Sequence, residues 1–121
     1  MKYWLFFIVL TITSPAMAQS VSVDINRATL AWTWTPGAGS GTPTQFLVKC
    51  GQVSGQYSRV STLADPNARS VPVKNVIGGQ GNWFCAVSAA NTFGESGLSN
   101  EVPFVAGAAP SGSLVLSITA Q

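Results

Sequence analysis

The chain has 121 residues, of which 8% are charged, and it contains no histidine. A chain of this length forms one domain with a modest core, and its net charge of +2 is too small to attract nucleic acid or an anionic membrane. Without histidine, a Ser-His-Asp or Cys-His catalytic arrangement and a metal site with imidazole ligands are excluded.

Residues 1–18 have the layout of a cleaved secretory signal peptide. Lys2 gives a basic start, residues 5–12 form an almost unbroken apolar run, and the sequence A-M-A precedes Gln19. The alternative is a membrane anchor, but the run has only about half of the ~20 apolar residues that a spanning helix needs. We therefore expect the remaining chain to be exported, with no membrane span, and to be secreted, periplasmic or at the cell surface.

The first two segments after the leader alternate apolar and polar residues, which is typical of half-buried strands. They cover residues 19–25 and 28–35. Residues 36–43 are almost entirely glycine, serine and proline, and predict a loop. The apolar positions of the two predicted strands are Val21, Val23 and Ile25 in the first, and Ala28, Leu30, Trp32 and Trp34 in the second.

Three more strands are predicted in the middle of the chain. Residues 45–51 alternate with Cys50 at the end of the apolar face. Residues 57–63 have two mixed faces, which suits a strand at the edge of a sheet. Residues 70–77 contain Pro72, which cannot donate to a ladder and bars this strand from a central position.

Residues 83–100 give the strongest signal for a strand. Trp83, Cys85, Val87 and Ala89 occupy alternate positions, and a turn follows. A last short strand is predicted at residues 102–106, and no window of the chain has a helical period. The pattern predicts an all-β, two-sheet antiparallel sandwich of about seven strands within residues 19–106.

Residues 107–121 differ in composition from the predicted domain. The sequence is first rich in Gly, Ala, Ser and Pro, as in a linker, and residues 114–120 then form an apolar run that is able to adopt a strand. Two interpretations are open for this run. It is either a frayed terminus or an extra strand that pairs with the sheet or with a neighbouring molecule.

The order of several short motifs resembles the fibronectin type III family. These motifs are L-x-W in the second strand, an aromatic-x-V in the third, and aromatic-x-x-x-V-x-A-x-N-x-x-G-x-S starting at Trp83. The resemblance covers about residues 21–105. It implies an immunoglobulin-like sandwich with strands A, B and E in one sheet and C, C′, F and G in the other. The core residues it implies are Leu30, Trp32, Phe46, Val48, Trp83, Val87 and Ala89.

One departure from the family lies at the start of strand F. The family usually has tyrosine there, and its hydroxyl bonds back to the chain at the corner between strands E and F. Trp83 offers only an N–H donor and a larger ring. The corner must therefore be satisfied in another way, and the conformation of residues 76–82 stays open.

A second departure is the pair of cysteines. The resemblance places Cys50 on strand C and Cys85 on strand F, which are antiparallel neighbours in this fold. If Phe46 faces Ala89, the same register makes Cys50 face Cys85. The Cα atoms of two facing residues on antiparallel strands are close enough for a disulfide bond. Export also implies an oxidising compartment. We predict a Cys50–Cys85 disulfide; the alternative is two buried free thiols.

No residues form a catalytic or cofactor site in the sequence. The glycine-rich residues 37–41 and 78–81 lead into no helix, so they are not phosphate loops. We expect no enzymatic activity, no cofactor and no metal. The four acidic residues fall at strand ends and turns, where each is expected to be a solvated loop or cap residue: Asp24, Asp65, Glu95 and Glu101.

A binding module is the function that the sequence favours. Its partner is expected to be a protein or a glycan, met through the loops at residues 36–43, 51–56 and 92–97. Aromatic side chains there stack on sugars or anchor in protein pockets. The alternative function is a structural subunit of an extracellular fibre or envelope assembly, with residues 114–120 contacting other copies. The candidate binding residues are Trp34, Tyr57 and Phe93, and the alternative for each of them is that its ring covers the core.

Overall fold

The structure is a computed structural model, and it describes residues 21–119. The predicted signal peptide at residues 1–18 lies outside the described residues. No helix within residues 21–119 has the length and apolar character needed to cross a membrane. The elements are the strands β1 Val21–Asp24, β2 Thr29–Ala31, β3 Gln45–Gly51, β4 Arg59–Leu63, β5 Ser70–Pro72, β6 Gly81–Asn91, β7 Gly94–Glu95 and β8 Val102–Gly107, with a short 3-10 helix at Val73–Asn75.

The strands form two sheets with a core between them. The larger sheet has the order β1-β8-β6-β3-β4, with β7 paired to the end of β6, and the smaller sheet contains β2 and β5. All pairs are antiparallel except β1 with β8. The predicted all-β, immunoglobulin-like sandwich is confirmed, and β4 lies at a sheet edge as its mixed faces indicated.

Alternation along the strands builds the core. In β3 the alternate residues Phe46, Val48 and Cys50 are fully buried, while the residues between them are only half-buried. The ring of Trp32 lies 5.7 Å from that of Phe46, centroid to centroid. The structure also buries all seven residues for which the sequence motifs implied a core position: Leu30, Trp32, Phe46, Val48, Trp83, Val87 and Ala89.

The register between β3 and β6 brings the two cysteines together. Phe46 faces Ala89 and Cys50 faces Cys85, and the two cysteine Cα atoms are 4.2 Å apart. The disulfide is formed, as predicted, and neither thiol remains free. It links the two central strands of the large sheet, and it is compatible with an oxidising extracellular compartment.

The expectation that the first strand joins the same sheet as β2 and β5 is wrong. β1 does not join β2 and β5; it runs parallel to β8, with Val21 facing Phe104 and Asp24 facing Gly107. The pairing continues as Ile25 N–H donates to Gly107 O at 2.7 Å. The chain then reverses through a turn, and β2 enters the other sheet. The alternation of apolar and polar residues does not show which sheet the strand joins, because an edge strand of either sheet has one half-buried face.

Two predicted strands end well before the expected residue. β2 ends at Ala31 rather than at residue 35, and the strand predicted over residues 70–77 ends at Pro72. After Pro72 the chain makes a 3-10 turn in which Val76 N–H donates to Val73 O at 3.0 Å. Val73 and Val76 are both buried. Their spacing of three residues places them on one side of a helical turn, and a strand would put them on opposite faces.

The corner before β6 is closed by the Trp83 side chain. Its indole Nε1 donates to the carbonyl oxygen of Gly79 at 2.9 Å. Gly79 has a φ of 154°, in the region that favours glycine. The indole thus bonds back to the chain four residues upstream, so an N–H donor closes the corner in place of a hydroxyl.

Residues 108–119 form no strand and pack on neither sheet. The extra strand that the sequence offered as one interpretation is therefore not formed within the described chain. Four large aliphatic side chains of this segment are 88–100% exposed: Leu114, Val115, Leu116 and Ile118.

Candidate functional site

A cleft of about 340 Å³ lies at one end of the sandwich. One wall is the loop before β3, and the other is the hairpin formed by the end of β6 and β7. We call it the loop cleft. None of its lining residues is charged, and most are small, so backbone groups form much of its surface. They are Trp34, Gly37, Ala38, Gly39, Ser40, Gly41, Pro43, Ala89, Ala90, Asn91, Gly94, Ser96 and Gly97.

Asn91 connects the two walls of the loop cleft. Its Nδ2 donates to the carbonyl oxygen of Thr42 at 3.1 Å, across to the loop. Its Oδ1 accepts from the backbone N–H of Phe93 at 2.8 Å, which shapes the hairpin. One side chain therefore fixes the hairpin turn and its position against the loop.

The other residues of the sequence motif after β6 also have structural roles. Gly94 has a φ of 153°, a conformation that favours glycine. Ser96 pairs with Ala89 twice: its Oγ accepts from Ala89 N–H at 2.9 Å, and its N–H donates to Ala89 O at 2.7 Å. The N-x-x-G-x-S pattern thus encodes the geometry of the hairpin that forms one wall.

Two of the three candidate binding aromatics lie at this end of the sandwich. Trp34 is half-buried and lines the loop cleft, with its ring edge-on to Phe46 at a centroid distance of 6.4 Å. Phe93 is 95% exposed at the tip of the hairpin, between two residues that line the loop cleft. The structure brings a fixed indole and an exposed phenyl ring to adjacent parts of one surface.

Tyr57, the third candidate, lies elsewhere and is occupied by an intramolecular contact. Its hydroxyl donates to Glu101 Oε1 at 2.6 Å. The same carboxylate accepts from Ser54 Oγ at 2.5 Å and from Gly55 N–H at 2.9 Å. Glu101 therefore anchors the turn between β3 and β4 to the start of β8. The expectation that Glu101 is a solvated cap residue is wrong.

The carboxylate and the phenol shift each other's pKa. Partial burial raises the pKa of Tyr57 to about 12, together with the hydrogen bond to Glu101 and the charge of its carboxylate. Burial also acts to raise the pKa of Glu101, but the hydrogen bonds from Ser54, Tyr57 and Gly55 outweigh it, so the pKa lies below its ordinary value. Tyr57 is thus held as a neutral donor and Glu101 as an ionised acceptor.

Glu95 is likewise more than a solvated turn residue. Its Oε2 lies 2.6 Å from Lys49 Nζ and accepts from the hydroxyl of Ser88 at 2.5 Å. These bonds from Lys49 and then Ser88 lower the pKa of Glu95. Ser88 is fully buried, so the contact also satisfies its hydroxyl. Local sequence patterns do not indicate this group, because its members are 46 and seven residues apart.

Within residues 21–119, no three His, Cys, Asp or Glu side chains come together in a way that could hold a metal ion. Glu95 and Glu101 are each engaged in hydrogen bonds on separate parts of the surface. The loop cleft combines the aromatic ring of Trp34 with backbone groups of its glycine-rich wall.

No family model matches the chain, and no curated protein matches it. Among solved structures, an engineered protein is similar over 85% of this chain, with a TM-score of 0.45 and 18% sequence identity. The chain spans only 20% of the length of that protein.

Proposed function

We propose that this chain is a non-catalytic, exported binding module that meets its partner at the loop cleft. The observation that carries the proposal is the pairing of an uncharged cleft, with Trp34 in its wall, and a 95% exposed Phe93 on the hairpin beside it. Exposed apolar patches mark interaction sites, and small-ligand sites are concave surfaces with aromatic side chains and a few polar groups.

The chemistry of the loop cleft fits a neutral glycan best. Sugar rings present flat apolar faces that stack on aromatic rings, and hydroxyls that bond to amides and backbone groups. Trp34 and Phe93 supply the rings, and Asn91, Ser40 and the glycine-rich backbone supply polar groups. The volume of about 340 Å³ is at the lower end of the range for small-ligand sites. The absence of charge in the lining disfavours ionic ligands.

We also propose that the chain is a fibronectin type III-like module that works outside the cytoplasm. The likeness is supported by the sandwich and by the buried L-x-W residues. It is also supported by the roles of Asn91, Gly94 and Ser96 in the hairpin. The parallel pairing of β1 with β8 departs from the strand assignment that the family implies. Export is supported by the predicted leader and by the Cys50–Cys85 disulfide.

A glycan array tests the proposed function. The exported protein is compared with Phe93→Ala and with Val53→Ala, which removes another exposed apolar side chain outside the loop cleft. The wild type and Val53→Ala should retain the same neutral glycans, and Phe93→Ala should lose them. If all three proteins retain the glycans equally, the binding site lies elsewhere on the protein. If none of them retains a glycan, the proposed glycan ligand is contradicted.

A second candidate function is a subunit of an extracellular assembly. The observation that favours it is the run of aliphatic side chains at residues 114–118, which are exposed although the domain has a core of its own. Apolar runs of this kind are normally covered by a partner. Light scattering of the exported chain against concentration tests this function, which requires a mass larger than that of one chain.

A further inference from the structure

We propose that residues 114–119 of one copy of this chain add as a strand to the outer side of β2 in a second copy. This inference rests on the second function proposed above. In an extended strand Leu114, Leu116 and Ile118 lie on one face, and Val115, Ser117 and Thr119 lie on the other. Such a pattern is typical of a half-buried strand, yet these three aliphatic side chains are 88–100% exposed.

The outer side of β2 has peptide groups that no described strand uses. Within residues 21–119, β2 pairs with β5 alone. Trp32 N–H donates to Arg69 O, and Val73 N–H donates to Ala28 O, so the even-numbered residues bond towards β5. Bonded and non-bonded pairs alternate in an antiparallel ladder. The peptide groups of Thr29 and Ala31 therefore point away from β5, towards an incoming strand.

The other sheet edges are less suited to accept a strand. Charged residues and proline protect edges from pairing. The outer side of β5 carries Pro72, which has no N–H. β4 begins with Arg59, and β1 ends with Asp24. β2 contains no charge and no proline, which matches an uncharged segment at residues 114–119.

Chain direction favours a second copy over the same chain. β1 and β8 run in parallel, and the chain reverses between β1 and β2, where Ala28 N–H donates to Asp24 O at 2.9 Å. After leaving β8 at Gly107, the segment would have to turn back at once to reach its own β2, and would then lie parallel to it. In a second copy it is able to run antiparallel, which is the more stable ladder. Residues 108–113 span at most about 20 Å when fully extended.

Matched variants of the exported chain test the acceptor strand. Ala31 and Ser70 face each other across β2 and β5, and each points its N–H away from the partner strand. Ala31→Pro therefore removes a donor from the outer side of β2, and Ser70→Pro removes one from the outer side of β5. On the added strand, Leu116→Asp places a charge on the apolar face, and Ser117→Asp places the same charge on the other face.

Light scattering over a range of concentrations gives the result. Association is expected for the wild type and for the control variants Ser70→Pro and Ser117→Asp. Single chains are expected for Ala31→Pro and Leu116→Asp. If Leu116→Asp alone is monomeric, the segment assembles on another surface and the β2 inference is wrong, although the assembly function stands. If the wild type is monomeric at every concentration, both are wrong.

Hydrogen exchange of the wild type keeps the inference testable if Ala31→Pro does not fold. The amides of Thr29 and Ala31 should exchange more slowly as association increases, while the amide of Ser70 should not change. Unchanged exchange at Thr29 and Ala31 in an associated sample would overturn the inference. Slow exchange at residues 114–119 in a single chain would show that the segment docks on its own domain, and would also overturn it.

Discussion

The indole Nε1 of Trp83 donates to the carbonyl oxygen of Gly79 at 2.9 Å, across the corner that leads into the longest strand. Trp83 itself is buried, so this bond joins the core to the loop at residues 78–80, where Gly79 is half-buried. The corner holds the start of β6, which pairs with β3 and β8 and contains Cys85. The bond therefore stabilises the entry to the central strand.

Trp83→Phe should lower the free energy of unfolding by about 1 kcal/mol more than Trp32→Phe does. Both changes replace a buried indole by a phenyl ring. Only the first leaves a carbonyl without its bond, because Trp32 Nε1 is buried with no hydrogen-bond partner within the described chain. Urea unfolding of the two variants measures the difference. An equal loss in both variants would show that the bond to Gly79 contributes nothing measurable.

The disulfide should contribute about 4 kcal/mol to the free energy of unfolding, because it closes a loop of 35 residues and restricts the unfolded chain. Denaturant unfolding with and without a reducing agent measures this contribution. The double variant Cys50→Ala, Cys85→Ala is the control, and its stability should not respond to the reducing agent. Equal stability of oxidised and reduced wild type would contradict the prediction.

Tyr57 should ionise only at strongly alkaline pH. Without residues 1–18, it is the only tyrosine of the chain, so the absorbance of tyrosinate reports it alone. Its pKa of about 12, against an ordinary value of 10.0, should fall part of the way back in Glu101→Gln. Because this pKa is raised in the folded state, the associated stability is complete below pH 10 and is lost as the pH rises towards 12.

The control for this titration is Glu95→Gln. This variant also removes a carboxylate, but from the group around Lys49, which has no hydrogen bond to Tyr57. The titration of Tyr57 should be the same as in the wild type. A similar fall of the pKa in both variants would mean that Glu101 is not the specific partner of the phenol.

The two aromatic residues of the proposed binding surface should differ in their effect on stability. Phe93→Ala should change the free energy of unfolding by no more than ~0.5 kcal/mol, because the ring is almost fully exposed. Trp34→Ala should cost about 2 kcal/mol, because part of its ring packs on Phe46. Thermal unfolding of both variants checks this. A large loss in Phe93→Ala would show that its ring covers the core.

Strand pairing between β3 and β6 could be predicted because both strands have long, clear alternation. Inward faces that contain Phe46, Val48 and Val87 fix the register, since a shift by one residue would turn these side chains to solvent. The position of the disulfide follows from that register. Short edge strands carry less information, and so the pairing of β1 with β8 was not foreseen.

The candidate site was only partly predictable. The loops and the exposure of Phe93 follow from turn residues and from its place within a turn. The contacts that organise Glu101 and Glu95 join residues far apart in the chain, and local patterns do not report such pairs. The bond between Asn91 and Thr42 is of the same kind. It depends on how two loops meet, which only the folded chain determines.

The most direct test of the proposed function is to map amide chemical shifts while a neutral glycan retained on the array is added. Changes are expected at residues 37–41 and 91–97, together with the side-chain amide of Asn91, which joins the two walls of the loop cleft. Residues 52–58 lie at the other end of β3 and should not change. Changes confined to residues 52–58, with none around the loop cleft, would contradict the account.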